Sequence, residues 1–435
     1  MPIVKNSSFV ILSDAVRNAA KPLQKSVSID DVANVSLFLI YPGLFFYQSA
    51  IGVLWIEPIF YGGWGSLMLL LFPILSLCYL VKVILDRQYI YKLEYIFFGF
   101  LLFISAVSIY FYMKGIPQGS VGDLLYWNLG GVISNLTCFL AFRLANVEKL
   151  SFKILLGFSA FCMLLIVLFN TDFGSLFFGF RKTQYGFSYQ GFARSMLVVF
   201  LITCFSLRSG LLAFLCYCVF AIALVVNQSR TEIILFVCAI PATLIIVHRF
   251  FQNMKLLDLV YAGVALFGCV FLGLMFERFG IFDSLPYLRI LALAEPMADD
   301  SFAQRLSQTN SALQTIKENP LFGDYGSYVN ASSVGAYSHN FLGLWVNAGL
   351  IGVLFYLILY TMILWEVLKV KLTSQNYTLI CLSGALGLSA IVAHLCAYVY
   401  VEVLLAAAIG SIAKMKEITD RGQSTPVNGE GPGAS

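Results

Sequence analysis

A histidine and an asparagine, His339 and Asn340, stand where a long polar stretch enters an apolar run, in the segment Tyr337–Gly352 (YSHNFLGLWVNAGLIG). The chain contains only three histidines. An imidazole has an intrinsic pKa of about 6.5. A position at a helix N-terminus, with arginines nearby, disfavours its charged form. We therefore identify His339 as a candidate general base, with capping of the following helix as the alternative role.

Four arginines make a candidate anion site, because guanidinium groups and helix N-termini both bind phosphate or pyrophosphate. Arg181 lies in RKTQYGF, and Arg230 opens an apolar run in NQSRTEI, two residues before Glu232. Arg194 lies more than a turn inside an apolar run, where a cation needs a partner or a bound anion. Arg305 lies in a polar loop. Snorkelling or ion pairing is the structural alternative for these side chains.

The composition indicates which elements position these groups. The chain is 60% hydrophobic and 11% charged, with a mean hydropathy of +0.85, whereas soluble domains are about 25% charged. Apolar runs long enough to cross a bilayer recur throughout and predict an all-α polytopic membrane protein with about twelve transmembrane helices. The predicted spans are 33–55, 64–84, 93–113, 121–142, 152–170, 190–207, 209–226, 231–248, 256–275, 340–368, 377–397 and 398–413.

The distribution of cations orients these spans. Placing both termini on the cytoplasmic side puts 18 of the 27 Lys and Arg residues in inner segments. The predicted organisation is an inner N-terminal segment (1–32), nine transmembrane helices (33–275), a long outer loop (276–339), three further transmembrane helices (340–413) and a disordered inner tail (414–435).

The long outer loop is predicted to carry an amphipathic helix. In DDSFAQRLSQTNSALQTIKENP, Asp300 and Ser301 are capping residues and Asn319-Pro320 ends the helix. Its apolar face is expected to lie at the membrane–water interface, with Arg305 at the edge of that face. The apolar face consists of Phe302, Leu306, Leu313 and Ile316.

Two further sequence features concern packing. Gly349 and Gly352 are expected to let another helix approach closely, and His394 is interpreted as a core or interface histidine. The ten cysteines all lie in apolar segments and are interpreted as packing residues, so we predict no metal site.

Together these segments resemble the C-terminal half of bacterial O-antigen polymerases and O-antigen ligases. ENPLFGDYGSY followed by SHNFLGLWVNAGLIG resembles the family's signature, in which an Asn-Pro-Leu-Phe-Gly turn precedes a His-Asn that opens a helix containing Gly-x-x-Gly. QSRTEI and RKTQYGF are similar to the family's arginine-containing outer segments, and Arg305 matches an arginine commonly found about fifteen residues before the turn. The resemblance covers roughly residues 180–365 and the overall topology.

The resemblance implies a GT-C-like fold and an inverting, metal-independent and cofactor-independent glycosyl transfer at the periplasmic face of the bacterial inner membrane. The implied partners are an undecaprenyl-pyrophosphate-linked oligosaccharide, membrane lipid and, as a candidate, a chain-length regulator protein; no nucleic acid is expected. His339 would accept the proton of the acceptor hydroxyl. The implied pyrophosphate-binding residues are Arg181, Arg230, Arg305 and Arg194, and the implied supporting residues are Asn340, Tyr337 and Glu232.

Several functions stay open at this point. A polymerase joins lipid-linked repeat units, whereas a ligase transfers the glycan to lipid A–core. Eight residues separate Asn340 from Gly349, where the ligase form usually has nine, and residues 276–338 carry seven acids against four cations; both features favour the polymerase.

Two other classes of membrane protein were considered. A flippase or transporter of lipid-linked sugars would need polar residues near the midplane, for which the candidates are Asn128, Asn135 and Asn347. A peptidoglycan glycosyltransferase of the shape, elongation and division group would need an acid in an outer loop, either Asp283 or Asp324.

Overall fold

The computed structural model describes most of the chain as helix. The described residues are 28–54, 64–86, 90–114, 121–172, 177–178, 189–207, 209–227, 229–251, 300–328, 338, 340–369, 376–396 and 403–424. The first helices are α1 (Ile29–Phe38), a π-helical turn (Leu39–Gly43), α2 (Leu44–Leu54), α3 (Trp64–Asp86), α4 (Lys92–Met113), α5 (Val121–Leu144) and α6 (Leu150–Phe169). The later helices are α7 (Tyr189–Ser206), α8 (Gly210–Val226), α9 (Arg230–Phe251), α10 (Asp300–Glu318), α11 (Phe341–Lys369), α12 (Tyr377–Cys396) and α13 (Val403–Ser424).

One short ladder interrupts this helical architecture. After α6, β1 (Thr171–Asp172) pairs antiparallel with β2 (Phe177–Phe178), with Thr171 opposite Phe178. The all-α prediction did not include this ladder, which is too short to give an alternating pattern.

Seven helical segments within the described residues are long and apolar enough to cross a membrane. The predicted helical architecture with several candidate membrane-spanning helices is therefore confirmed. The seven segments are Ile29–Gly52, Gly65–Ile84, Lys92–Met113, Leu124–Leu144, Leu150–Phe169, Phe341–Lys369 and Tyr377–Leu395. Shorter apolar helices cover Gly191–Ser206, Gly210–Val226 and Thr231–Thr243. The predicted span 256–275 lies outside the described residues, so the total of twelve stays a prediction.

The helices divide into peripheral and central ones. α3, α4 and α6 expose large apolar side chains, including Leu70, Leu102 and Phe158, which are 60%, 71% and 63% exposed. By contrast, α7, α12 and the first half of α13 are buried along almost their whole length. Apolar exposure on this scale suits contact with lipid tails rather than water.

The packing of α13 against α5 depends on a small residue. Gly410 faces the backbone of α5, and a Cβ there would overlap the carbonyl of Phe139. Small residues let helix backbones approach closely in membrane proteins, where van der Waals packing drives association.

Six charged side chains meet at one end of the helix bundle and form what we call the buried ion network. Its members are Asp30, Lys82, Glu94, Arg143, Lys414 and Glu417. The side chain of Arg143 is 1% exposed; its Nε lies 2.9 Å from Glu94, and its Nη1 contacts Glu417. Three cations and three anions therefore neutralise one another, as burial of charge requires, although Asp30 at the edge of the network is 36% exposed.

Two lysines extend the buried ion network to α1 and α3. Lys82 lies 3.1 Å from Glu417 and 3.5 Å from Asp30, and Lys414 lies 3.3 Å from Asp30. Lys414 also donates a hydrogen bond of 3.3 Å to the carbonyl of Leu144 at the end of α5. The starts of α1 and α4 and the ends of α3 and α5 therefore share one end of the bundle, as the predicted alternation of spans requires.

The buried ion network corrects the predicted boundary of the C-terminal tail. Residues 414–424, assigned to a disordered tail, continue α13, and Lys414 and Glu417 within them are 3% and 5% exposed. Polar composition suggested disorder, but here the charges have buried partners. The predicted N-terminal segment is also shorter, because α1 begins at Ile29 with Ser28 as its N-cap.

We expect Glu417→Ala to lower the unfolding stability of the purified protein in detergent by about 3–5 kcal/mol, because three buried cations would keep only two anions. Thermal unfolding measures this change. The matched control is Lys149→Ala, which breaks an ion pair with Asp31 whose side chains are 45% and 43% exposed, and which should shift stability by less than about 1 kcal/mol. Equal effects of the two variants would contradict the assigned role of the network.

Candidate functional site

The predicted site residues fall into two groups. His339, Tyr337 and Arg181 lie outside the described residues, and so does the side chain of Arg230, whose backbone begins α9. Arg194, Glu232, Arg305 and Asn340 are described with their side chains. These four residues and the elements that hold them define the described part of the candidate site.

Asn340 caps α11. Its Oδ1 accepts hydrogen bonds from the backbone N–H of Leu342 at 3.0 Å and from Ser338 Oγ at 2.7 Å. Its carbonyl accepts the N–H of Gly343 at 3.0 Å. A side-chain oxygen bonded to the second residue of a helix is the usual N-cap arrangement. Asn340 is therefore the N-cap of α11, and the alternative capping role of His339 falls outside the described residues.

Arg194 and Glu232 join the starts of α7 and α9. Glu232 is 1% exposed; its Oε1 lies 3.9 Å from Arg194 Nη2, and its Oε2 accepts a hydrogen bond from Ser229. Ser229 and Glu232 are spaced as in a capping box at the start of a helix. Arg194 was expected to need a partner or a bound anion, and Glu232 is an ion-pair partner for it.

Contacts at the two ends of the bundle show which end carries these groups. Lys416 pairs with Glu366 at 2.9 Å, so the C-terminal part of α11 lies at the end that holds the buried ion network. Thr378 Oγ1 donates to the carbonyl of Phe205 at 3.4 Å, and Lys153 Nζ donates to Thr378 Oγ1 at 2.9 Å. The ends of α7 and α11 are therefore on the network side, and the starts of α7, α9 and α11 lie at the opposite end.

A segment after α10, residues 319–328, packs against α11, and we call it the docked turn. α11 is kinked at Gly349, where φ is 63°. The N–H of Leu350 donates to the carbonyl of Pro320 at 3.1 Å, and the carbonyl of Val346 accepts from the N–H of Asp324 at 2.6 Å. In an unbroken helix, Leu350 N–H would bond to Val346 C=O. The docked turn thus supplies both partners of the missing helical bond.

Two glycines make this insertion possible. Gly323 has φ of 72°, and both Gly323 and Gly349 adopt the left-handed conformation that side chains disfavour. A Cβ on Gly349 would overlap the carbonyl of Leu321, and a Cβ on Gly323 would overlap that of Val346.

The expectation that Gly349 and Gly352 admit another helix was wrong. Gly349 admits the docked turn, whereas a Cβ on Gly352 would meet Ala348 and Leu344 of the same helix. The Gly-x-x-Gly pattern is typical of helix contacts in membranes, but a positive φ can only be read from coordinates.

Side chains anchor the docked turn on two sides. Tyr325 is 3% exposed and packs with Leu124 of α5, and its hydroxyl contacts Asn128. The N–H of Gly326 donates to Asn347 Oδ1 at 2.9 Å. Trp345 Nε1 donates to the carbonyl of Pro320 at 2.8 Å.

The asparagines proposed for a polar transport path therefore have structural partners. Asn128 also donates to Ser108 at 2.9 Å, and Asn347 donates to the carbonyl of Gly343 at 2.8 Å. Asn135 donates to the carbonyl of Gly131, within its own helix, at 2.9 Å. Two of the three asparagines hold the docked turn.

α10 covers Asp300–Glu318 and ends before Asn319-Pro320. It packs on α11 through Ala312, which is 6% exposed, while Leu306 and Leu313 on its other side remain 44% and 43% exposed. This outward apolar face suits the predicted interfacial location, which stays a prediction. Arg305 is exposed on α10.

A cleft of about 110 Å³ lies between α10, the docked turn and the start of α11. Its lining residues are Gln308, Ser311, Ala312, Thr315, Ser327, Tyr328, Ser338, Gly343 and Val346. Sequence reasoning did not find this cleft. A retrospective signal exists, because Gln308, Ser311 and Thr315 recur at helical spacing opposite the apolar stripe.

His394 lies in the protein core, as expected. It is 3% exposed, with Nε2 2.9 Å from the hydroxyl of Tyr356 and Nδ1 in contact with Tyr360.

Within the described ranges, no three Asp, Glu, His or Cys side chains form a group that could hold a metal ion. The expectation of a metal-free reaction rests on the sequence resemblance alone. Comparison with known proteins gave no relative, because no protein-family model matches this chain and no curated protein matches it.

We expect Gly349→Ala to disrupt the docked turn, because a positive φ with an extended ψ is essentially restricted to glycine and costs other residues about 1–3 kcal/mol, and the new Cβ overlaps Leu321. Hydrogen exchange should accelerate at the amides of Leu350 and Asp324, whose bonds join the turn to α11. Gly157→Ala is the control, since a Cβ there meets nothing within 4 Å. Unchanged exchange in Gly349→Ala would contradict this model of the turn.

Asp324 makes the docked turn sensitive to pH. Partial burial, and secondly the charge of Glu318, raise the pKa of Asp324 above its usual value. In the unfolded chain this carboxyl titrates at about 3.9. Folding therefore favours the protonated form, and stability is lost as pH rises from that value through the raised folded-state pKa.

We accordingly expect Asp324→Asn to raise the thermal unfolding temperature at pH 7–8 and to have no effect near pH 4. Glu318→Gln should give a smaller gain in the same direction, because it removes only the second cause. A gain for Asp324→Asn that is the same at every pH would contradict the electrostatic explanation.

Proposed function

We propose that this chain is a membrane glycosyltransferase that polymerises undecaprenyl-pyrophosphate-linked oligosaccharide repeat units into O-antigen or a related surface polysaccharide. The supporting observation is that the two separated segments of the sequence motif contact each other in the structure. The ENPLFGDYGSY segment and the helix that follows SHN form one hydrogen-bonded unit through Pro320, Asp324, Val346 and Leu350. A motif whose separated parts meet in space is better support for the resemblance than either part alone.

The position of the arginines supports the same proposal. Arg194 and the start of α9, which carries Arg230, share an end of the bundle with the start of α11. A helix N-terminus with adjacent guanidinium groups suits a pyrophosphate. Glu232 would hold Arg194 in place, so that its guanidinium and those of the other arginines could neutralise the phosphate charge.

In the proposed reaction, an acceptor hydroxyl oxygen attacks the anomeric carbon of the donor glycan. His339 takes the hydroxyl proton as the new C–O bond forms. The bond between the anomeric carbon and the pyrophosphate oxygen breaks, and its electron pair leaves on the pyrophosphate. Arg181, Arg194, Arg230 and Arg305 stabilise this leaving group. The attack inverts the anomeric configuration and uses no metal.

The proposed arrangement in the membrane follows from the same assignment. Twelve spans in a GT-C-like fold would place both termini and the buried ion network on the cytoplasmic side of the bacterial inner membrane. The starts of α7, α9 and α11, together with α10, would then face the periplasm, where lipid-linked repeat units are available.

The test is a lipopolysaccharide gel from the source bacterium after deletion of the gene and complementation with variants. Wild type should restore a long ladder, whereas His339→Ala should leave core bearing a single repeat unit. His248→Ala is the matched control, because His248 lies in the last turn of α9, away from its N-terminal end. Protein levels in the membrane must be equal for all variants.

The other outcomes identify the alternatives. Bare core, with full-length polymer still on its lipid carrier, would contradict the polymerase and indicate that the protein is a ligase. An unchanged ladder in the deletion strain would contradict both enzymes for this glycan and leave another surface glycan, or a transport function, to be tested next. A ladder restored by His339→Ala would contradict the assigned base.

A further inference from the structure

The docked turn carries two large apolar side chains that are exposed on the protein surface. Leu321 is 55% exposed and Phe322 is 71% exposed, while the backbone that carries them packs on Gly349 of α11. Transfer of such side chains from water to an apolar environment is favourable. The level of the docked turn along α11 therefore decides whether lipid tails or water surround them.

Two tryptophans of α11 indicate where the helix enters and leaves the hydrocarbon core. Trp345 and Trp365 are 20 positions apart, which corresponds to about 30 Å of helix and matches the thickness of a bilayer core, about 30 Å. Tryptophan is enriched at both membrane–water interfaces. The Nζ of Lys369 lies 4.4 Å from the centre of the Trp365 ring, as expected for a cation at the inner interface. Trp345 then marks the boundary at the opposite end, and its Nε1 donates to Pro320 of the docked turn.

Exposed aromatic side chains of two neighbouring helices mark the same level. They belong to the end of α4 and the start of α5 and are Tyr110, Tyr112, Tyr126 and Trp127. The hydroxyl of Tyr325, in the docked turn, contacts Asn128, which follows Trp127 in α5. Aromatic belts of this kind lie at the level of the lipid headgroups. Two independent sets of residues therefore place the docked turn at the edge of the hydrocarbon core.

We propose that the docked turn is a membrane anchor, with Phe322 and Leu321 inserted among the phospholipid acyl chains at the end of the bundle opposite the buried ion network. The partner of this surface is thus the lipid bilayer. The inference extends the predicted interfacial position of α10 to the turn that follows it. It depends on the length of α11 and on the exposure of these side chains, and not on the proposed glycosyltransferase activity.

The anchor also sets the depth of the candidate site. Asn340 precedes Trp345 by five positions, or about 7 Å along the helix, so it lies outside the hydrocarbon core and within the layer of lipid headgroups, which is about 5–7 Å deep on each side. Ser327 and Tyr328 of the docked turn line the cleft beside α10. The cleft and the N-cap of α11 are therefore held where the phosphates of membrane lipids lie.

The test measures which surroundings reach the ring of Phe322. In the full chain, Phe322 is replaced by para-trifluoromethylphenylalanine, and the protein is placed, one copy per disc, in nanodiscs of phosphatidylethanolamine and phosphatidylglycerol. Three paramagnetic agents then broaden the fluorine NMR signal: a water-soluble nickel chelate, a phospholipid with a nitroxide near the glycerol end of its acyl chain, and one with the nitroxide near the methyl end. We expect the nitroxide near the glycerol end to cause the largest broadening.

Two other positions with the same label are the matched controls. Leu357 is exposed on α11 and lies 12 positions beyond Trp345, about 18 Å deeper, so the nitroxide near the methyl end should broaden its signal most. Gln314 is exposed on α10, where it bonds to Glu318 at 3.3 Å, and the nickel chelate should broaden its signal most. The label at Leu321 should give the same order of broadening as the label at Phe322.

Every other order of broadening at Phe322 would overturn the proposal. Largest broadening by the nickel chelate would mean that water surrounds the ring, and weak broadening by all three agents would mean that protein covers it. Largest broadening by the nitroxide near the methyl end would contradict the assigned level. Since the ring is exposed on the protein, the label should leave the unfolding temperature in detergent unchanged, which checks folding. The measurement uses no glycan, so its outcome is independent of the polymerisation test.

Discussion

The hydrogen-bond exchange at Gly349 is the constraint on which the arrangement of this end of the protein depends. A membrane-spanning helix cannot leave backbone N–H and C=O groups without partners, because lipid offers none. The kink in α11 breaks the bond between Leu350 and Val346, and the docked turn supplies a carbonyl from Pro320 and an N–H from Asp324. The kink and the turn therefore exist only together.

This dependence fixes several other elements. α10 leads directly into the docked turn, so the position of the turn sets the position of α10 over the start of α11 and creates the polar cleft between them. Tyr325 extends the same unit to α4 and α5 through Asn128 and Ser108. The opposite end of the bundle is held in a different way, by pairing of buried charges such as Arg143 and Glu417. One end is thus fixed by electrostatic neutralisation and the other by backbone complementation.

Where the structure describes the chain, the positions of the helices were easier to predict from the sequence than the partners of their side chains. The spans, the start of α11 after Asn340 and the end of α10 before Pro320 follow from hydropathy and from local capping chemistry, which depend on neighbours in the chain. Arg194 was correctly expected to need a partner, but Glu232 lies 38 positions away on another helix. Arg143 and Glu417 are 274 positions apart in the sequence. The hydrophobic periodicity of a sequence gives no information about such a distant contact. Lys414 and Glu417 were assigned to a tail because exposed and paired charges look alike in a sequence.

The placement of polar residues bears on transport and catalysis alike. A transporter needs polar groups that remain available along a path through the membrane. Asn128 bonds to Tyr325 and Ser108, and Asn347 bonds to Gly326 and Gly343, so both asparagines take part in holding the docked turn. Asn340 caps α11 through its bond to the N–H of Leu342, and a role for the neighbouring His339 in chemistry at this end of the bundle remains part of the proposal.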